Sequence, residues 1–406
     1  MKRKVCVVVT ARPSYSRIKT ALQAIVAHPA LELQLIAAAS ALLDRYGNVV
    51  DDMVEDGFTV DASVHTVVEG NSPITTAKTT GLGLIELAGE FTRFRPDVVV
   101  TIADRFETLA TAVAAAYLNI PLAHVQGGEI TGSIDEKVRH SVTKLADLHF
   151  VSTEQAREYV MRMGESPETV HVTGCPSIDL AAEVRRSPAL DFDPLEKYGG
   201  VGADVDLSKG YLVVLQHPVT TEHHLARAHI TETLHAIQDA NLPALWFWPN
   251  LDSGSDGTSR GIRIFREREK TADIHFFKNM HPPDFLRLVY NSRCIVGNSS
   301  VAIRECSFLG VPAVNIGTRQ AGRERGHNVT DVDYDRHEIL TAIRHFLTRP
   351  PIRSSGIYGD GFAGTRIAEL LATSELKSEK KLTYGTEQSV DLRPTLLAPL
   401  RAGIPS

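Results

Sequence analysis

Two successive series of short apolar runs, each run parted from the next by a stretch with helical spacing, constrain this chain more than any other feature. The first run, Val5-Cys6-Val7-Val8-Val9, holds no charged or polar side chain, the pattern of a parallel strand covered on both faces. A polar segment, Thr10 to Ser16, follows it. From Arg17 to His28 the apolar positions Ile18, Leu22, Ile25 and Val26 then recur at helical spacing. The alternation continues with strands expected at 33–39, 97–102, 121–126, 149–152 and 170–172. Helices are expected at 42–57 (helix and turn), 82–94, 108–118, 141–145 and 154–163. Strands separated by helices need right-handed crossovers and predict a doubly wound parallel sheet.

The periodicity lapses near 188–209 into Asp, Gly, Pro and Lys, and Tyr211-Leu212-Val213-Val214-Leu215 restarts it. A polar loop at 216–221, a helix at about 222–240 and strands at 244–248, 274–277, 294–296 and 313–316 repeat the first half's logic. At 406 residues and 43% hydrophobic, the chain exceeds what one core usually holds. The expected fold class is therefore α/β, with two Rossmann-like doubly wound domains facing a cleft. The boundaries are read as 1–185 for the first domain, 186–362 for the second, and 363–406 for a crossover helix and surface tail returning to the first. The last thirty or so residues, with Lys377 to Lys381 and scattered Pro, lose periodicity and read as partly disordered.

A net charge of −6 and a pI near 6.2 give no support for nucleic-acid or anionic-membrane partners. The four cysteines, Cys6, Cys175, Cys294 and Cys306, lack metal-ligand spacing and read as small buried hydrophobes of a reducing compartment. Met-Lys-Arg-Lys runs straight into a strand without a signal-peptide core, and the Ala-rich segment 109–120 is too short to span a bilayer, so a cytoplasmic location is expected.

Ligands in such folds bind beyond the carboxyl ends of the strands, so residues there carry the chemistry. Gly297-Asn298-Ser299-Ser300 breaks an apolar strand and places two hydroxyls at a helix start. That arrangement suits a phosphate, or else a plain Ser N-cap. Glu305, further along, could accept from ribose hydroxyls or lie on a solvated face. Asp104 ends the run 98–103, either facing the cleft or capping the next helix, and Arg105 follows it. Gln126-Gly127-Gly128-Glu129 allows a close-approaching backbone before its acid. Asp135, Arg139 and His140 put acid, cation and base in one short stretch. Carboxylates sharing a cleft suit proton abstraction and return, because neighbouring negative charge and burial raise one member's proton affinity. His217 begins the second half's first loop. Arg12 and Ser16 in the first loop, Asn250 and His281 at later strand ends, and Arg319, Arg323 and Arg325 after Gly317 complete the candidate lining. The histidines at 223, 224, 229 and 235 lack acidic or cysteine partners at zinc spacing, so no metal site is read.

Four ordered runs carry a resemblance: Gln126-Gly127-Gly128-Glu129, Gln216-His217-Pro218-Val219-Thr220-Thr221, Gly297-Asn298-Ser299-Ser300 and Gly317-Thr318-Arg319-Gln320-Ala321-Gly322-Arg323. Together with Tyr358-Gly359-Asp360-Gly361, over about 4–372, the chain resembles the hydrolysing UDP-N-acetylglucosamine 2-epimerases. These include bacterial sialic-acid pathway enzymes and the epimerase half of the animal bifunctional epimerase/N-acetylmannosamine kinase. The resemblance implies the two-Rossmann glycosyltransferase-B architecture, a UDP-sugar substrate, no cofactor or metal, and a homodimer or homotetramer. It implies conversion of UDP-N-acetylglucosamine and water to N-acetylmannosamine and UDP through a glycal intermediate. Asp104, Glu129 and Asp135 become the acid/base candidates, with His217 beside the diphosphate. Ser299 and Ser300 would hold the diphosphate, Glu305 the ribose and the segment 281–285 the uracil. Arg12 and Arg319 would neutralise the departing UDP. Two positions depart from the pattern: Ala41, where many relatives carry His, and Ala103, where they carry Gly. The first admits a modified UDP-sugar, such as a 6-deoxy or 4-acetamido relative. A non-hydrolysing epimerase and a glycosyltransferase of the same architecture are the alternative readings.

Overall fold

The computed structural model describes residues 1–43, 49–70, 72–130, 134–249, 255–269 and 273–383. Its first seven-stranded sheet has the order β3-β2-β1-β4-β5-β6-β7, where β1 is Arg3–Val9, β2 Leu31–Ala38, β3 Ala62–Val64, β4 Val98–Ile102, β5 Leu122–Val125, β6 Leu148–Val151 and β7 Val170–Val172. Every pairing is parallel. The unbroken apolar runs follow from this, because both faces are covered. Val5, Val7 and Val9 point into one core with Ile18, Leu22 and Ile25 of the helix Arg12–Ala27, while Cys6 and Val8 join Leu87 and Phe91 on the other face.

The second sheet runs β14-β13-β12-β9-β10-β11-β8, with β8 Val201–Gly202, β9 Leu212–Leu215, β10 Ala244–Phe247, β11 Ile274–Phe277, β12 Cys294–Gly297, β13 Ala313–Ile316 and β14 Val329–Val332. All of its pairings are parallel except β8 against β11. In both sheets the chain builds outward from a central strand, then crosses back to that strand's other side. A crevice opens at each crossing, between β1 and β4 in the first sheet and between β9 and β12 in the second.

Several expected boundaries shift. The helix expected from 82 starts at Pro73, where Ser72 and Thr75 form a reciprocal cap, and the one expected at 141–145 spans Ile134–Leu145. The helix expected at 42–57 is a short helical turn at Ala39–Leu42 and the helix Val49–Glu55, while 44–48 lies outside the described residues. The lapse at 188–209 holds the helix Pro194–Tyr198, capped by Asp193, and edge strand β8. Strands β3 and β14 lack long apolar runs, as sheet-edge positions allow.

The chain returns to the first sheet at its far end. Ile367, Ala368 and Leu371 of the helix Ala363–Thr373 enter the first core. Asp179 anchors that helix, accepting from the Ala363 and Gly364 amides (2.9 and 2.7 Å) and from the Thr20 hydroxyl (3.0 Å). The tail beyond 383 lies outside the described residues. Among those described, no helix is long and apolar enough to cross a membrane, and no group of three or more His, Cys, Asp or Glu is arranged to hold a metal. All four cysteines are buried and free.

Candidate active site

The second sheet's crevice is set by one asparagine. Asn298, fully buried after β12, accepts the His217 amide at 2.7 Å and donates to the His217 carbonyl at 2.8 Å, fixing the loop after β9 from across the crossing. The turn between them needs Gly297: at φ +137° any Cβ would lie 2.2 Å from the Leu215 carbonyl oxygen. Ser299 is the N-cap, its hydroxyl accepting from the Val301 amide, and Ser300 opens the helix. That helix is shorter than expected. It stops at Ile303, the backbone kinks at Arg304 (φ −93°, ψ −72°), and a second short helix runs Glu305–Leu309. The kink turns Arg304 inward, where its guanidinium meets Glu129.

In the first sheet, the loops after β4 and β5 carry the two buried acids, Asp104 and Glu129. Asp104 is paired with Arg139, which also donates to the Glu129 carbonyl at 2.5 Å. One Glu129 carboxylate oxygen accepts from Ser152 at 3.0 Å; the other accepts from Arg304 at 2.5 Å, with Arg323 at 3.5 Å. Arg304 and Arg323 come from the second sheet's side, so the cleft closes directly over this carboxylate. Arg17, on the helix after β1, reaches the other way to Ser300 Oγ at 3.4 Å.

The electrostatics follow from that crowding. Burial by itself would raise the Glu129 carboxyl, but Arg304, Arg323 and Arg17 outweigh it and hold the group below the usual glutamate value. Burial and then the charge of Arg304 push Arg17 down to about 10 and Arg323 to about 9, while Arg139 falls well below the usual arginine value from burial and from all three neighbours. Guanidiniums depressed first by burial and then by one another form a cluster of positive charge that suits an incoming anion. Burial would lower Arg304 too, yet the Glu129 carboxylate outweighs it and raises that group. Among the described residues none hydrogen-bonds Oε2 of the buried Glu305, an acceptor ready for a donor.

The remaining candidates divide. Asp135 and Glu136 open the helix Ile134–Leu145, on which Arg139 sits. Arg319 donates to the Asn298 carbonyl at 3.3 Å, and Gln320 to the same oxygen at 2.9 Å. His281 stands at the N-cap position of the helix Pro282–Tyr290, its side chain making no capping bond among the described residues. Arg12 pairs with Asp52 at 3.3 Å, Ser16 donates to the Arg12 carbonyl at 3.3 Å, Arg105 folds onto Glu107 at 3.2 Å and His140 onto Glu136 at 3.2 Å. These contacts lie within the first sheet's side, and among the described residues none hydrogen-bonds the buried Nδ1 of His140. Asn250 lies outside the described residues. Ala41 is fully buried in the first core rather than lining the cleft. Sequence reasoning gave Arg17 and Arg304 no role and did not single out Ser152. The one available signal was an arginine within the apolar stretch Val301-Ala302-Ile303-Arg304.

A family model described as UDP-N-acetylglucosamine 2-epimerase matches residues 23–372. The chain belongs to that family. A Legionella pneumophila relative named UDP-N,N'-diacetylbacillosamine 2-epimerase (hydrolyzing) is 33% identical over 379 residues, covering 93% of this chain and 98% of its own. The Neisseria meningitidis UDP-N-acetylglucosamine 2-epimerase is 28% identical over 92% of this chain and 96% of its own. In fold, a crystal structure of the N. meningitidis UDP-GlcNAc 2-epimerase bound to UDP-GlcNAc aligns with a TM-score of 0.76 at 17% identity, over 91% of this chain and 100% of that one. The M. jannaschii epimerase in complex with UDP-GlcNAc and UDP gives 0.74 at 18% identity, with the same coverage. The architecture of this epimerase-family chain is thus the two-sheet, glycosyltransferase-B type expected from its motifs.

Proposed function

We propose that this member of the epimerase family is a hydrolysing UDP-N-acetylhexosamine 2-epimerase, with UDP-N-acetylglucosamine as its first candidate substrate and N-acetylmannosamine and UDP as products. The observation that carries the reading is the arginine-bound carboxylate Glu129 beside the arginine-paired Asp104, facing the Ser299-Ser300 anion site across one cleft. The reaction takes the proton from sugar C2 while the C1–O bond to UDP breaks, leaving a C1=C2 double bond. Water then adds its hydroxyl to C1, and a proton returns to C2 on the opposite face. Asp104, Glu129 and Asp135 carry the proton transfers between them. Ser299, Ser300, Arg17 and Arg319 hold the diphosphate with His217 alongside, Glu305 takes the ribose, and the backbone at 281–285 takes the uracil.

The arginines couple leaving group to base. A bound diphosphate competes for Arg304 and Arg323, and each contact it takes from Glu129 raises that carboxylate's proton affinity. Positive charge placed beforehand also stabilises UDP as it departs.

A second reading keeps the chemistry and changes the sugar. The 33% identical relative is named for a 4-acetamido substrate class, UDP-N,N'-diacetylbacillosamine, and this favours testing that sugar beside UDP-N-acetylglucosamine. Proton NMR in heavy water, with each nucleotide sugar and no added metal, distinguishes the outcomes. Released UDP with a free 2-epimer bearing deuterium at C2 is the expected result. C2 inversion with UDP still attached would establish the non-hydrolysing reaction instead, and transfer to an acceptor without C2 exchange would establish a glycosyltransferase.

A further inference from the structure

Beneath the two acid-bearing loops lies a histidine that the reaction scheme does not use. His124, in β5, is fully buried. Its Nε2 is 2.9 Å from the Ala103 carbonyl oxygen and its Nδ1 is 3.1 Å from Thr143 Oγ1. A carbonyl can only accept, so Nε2 carries the proton and Nδ1 accepts from the threonine hydroxyl, which assigns the tautomer from its partners. Burial pushes the ring down to about 4, so it stays neutral and keeps that tautomer near neutral pH.

The carbonyl it grips belongs to an unusual residue. Ala103, immediately before Asp104, sits at φ +65°, a left-handed conformation that costs a residue with a Cβ about 1–2 kcal/mol. Its peptide is held at both ends, the N–H donating to the Val125 carbonyl at 2.9 Å and the C=O accepting from His124. This turn aims Asp104 at Arg139. The same ring also touches the second acid loop, since a Cβ at Gly127 would lie 3.0 Å from both His124 Nδ1 and Thr143 Oγ1. One imidazole is therefore packed between the loop that presents Asp104 and the loop that leads to Glu129.

We propose that His124 is a positioning residue: through the Ala103 carbonyl it holds the left-handed turn that sets Asp104 in the cleft, with Thr143 selecting the required tautomer. The inference rests on the reading of Asp104 as an acid/base group. It concerns the chemical step and not nucleotide binding, because the serines, Glu305 and Arg319 stand on the other sheet and Arg17 is carried by the helix after β1, not by the two loops that His124 touches.

The test compares kcat with UDP affinity, the latter by calorimetry, in His124→Leu, His124→Gln, Thr143→Val and Asp104→Asn. His124→Leu is expected to lower kcat about 100-fold, the scale of an ångström-sized misplacement, with UDP affinity unchanged. His124→Gln, whose terminal amide can still donate to the carbonyl, should recover at least about tenfold of that loss. If His124→Leu does not fold, the near-isosteric Thr143→Val decides the matter: about a fivefold fall in kcat at constant UDP affinity is expected, and an unchanged kcat overturns the proposal. A His124→Leu enzyme with wild-type kcat also overturns it, as does a parallel loss of kcat and UDP affinity without recovery in His124→Gln. Asp104→Asn separates the two levels. If it turns over, the acid/base reading itself fails; if it is inactive while His124→Leu is not, only the positioning role fails.

Discussion

Arg304, from the second sheet's side of the cleft, donates to the Glu129 carboxylate of the first at 2.5 Å, and both side chains are buried. The contact is both an ion pair across the cleft and a hold on the charge of a candidate base. Removing one member of a buried pair leaves the other charge uncompensated, so Arg304→Ala is expected to lower unfolding free energy by about 3–5 kcal/mol. Denaturant unfolding measures this, and an unchanged midpoint would mean that solvent replaces the partner.

The same pair sets a pH dependence. Glu129's folded carboxyl lies below its unfolded value of about 4.3. Its contribution is thus complete above that value and is lost as pH falls through the lower, folded one. Thermal unfolding of wild type and Glu129→Gln should differ by a constant amount near neutrality, and the gap should narrow on acidification below about pH 4.3. A gap independent of pH would rule out an ionised Glu129 in the folded state.

Nucleotide affinity should depend on groups from both sheets. Ser300→Ala, which removes one hydroxyl, is expected to weaken UDP about fivefold, and Arg17→Met, which removes a charge, about tenfold or more. Calorimetry with UDP alone isolates these effects from turnover. If Arg17→Met binds UDP as wild type does, the contact with Ser300 Oγ joins the two sides of the cleft without a share in nucleotide binding.

Ala103 stores backbone strain, and its replacements should separate by conformation. Ala103→Gly is expected to hold or raise stability by up to about 1 kcal/mol, while the β-branched Ala103→Val should lose about 2 kcal/mol or more together with most of the turnover. Equal stability of the two variants in denaturant would show that the left-handed turn is not maintained.

The segment after the last described helix is tied down at Glu165, whose partner His149 lies opposite His124 in the neighbouring strand. That buried carboxylate meets Lys144 at 2.5 Å, Lys380 at 2.7 Å and the buried His149 at 3.1 Å, and the Thr383 amide donates to the Gly164 carbonyl at 2.9 Å. Burial opposes its charge, but the three donors hold it down to about 2. This contribution is present above about pH 4.3 and is lost only as pH approaches about 2. Lys380→Met should lower unfolding free energy by about 2 kcal/mol, and a wild-type midpoint in that variant would show the tie to be dispensable.

Most strands were legible because a parallel strand covered on both faces must be apolar throughout, as Val5–Val9 and Leu212–Val214 are. Edge strands carry no such demand: Ala62–Val64, Val201–Gly202 and Val329–Val332 left no signal, although the edge strand Val170–Val172 did. Helix starts were less legible. Pro73 and Ser72 precede a face with few core residues, so periodicity began only near Leu82. At the site, strand-end position pointed to Asp104, Glu129, Asn298 and Ser300, since crevices form where strands end. It also pointed to Arg12 and His140, which find partners on their own side of the cleft.

The amino-acid sequence by itself determined that two α/β halves would form and which acids and hydroxyls would stand at strand ends, because periodicity and strand ends are local properties. Only the tertiary structure decided which charges pair. Arg304 reaches Glu129 because the backbone kinks at a residue inside an apolar stretch, and His124 reaches Ala103 because neighbouring strands lie in register. Contacts between residues distant in sequence depend on that packing, and no local pattern encodes them.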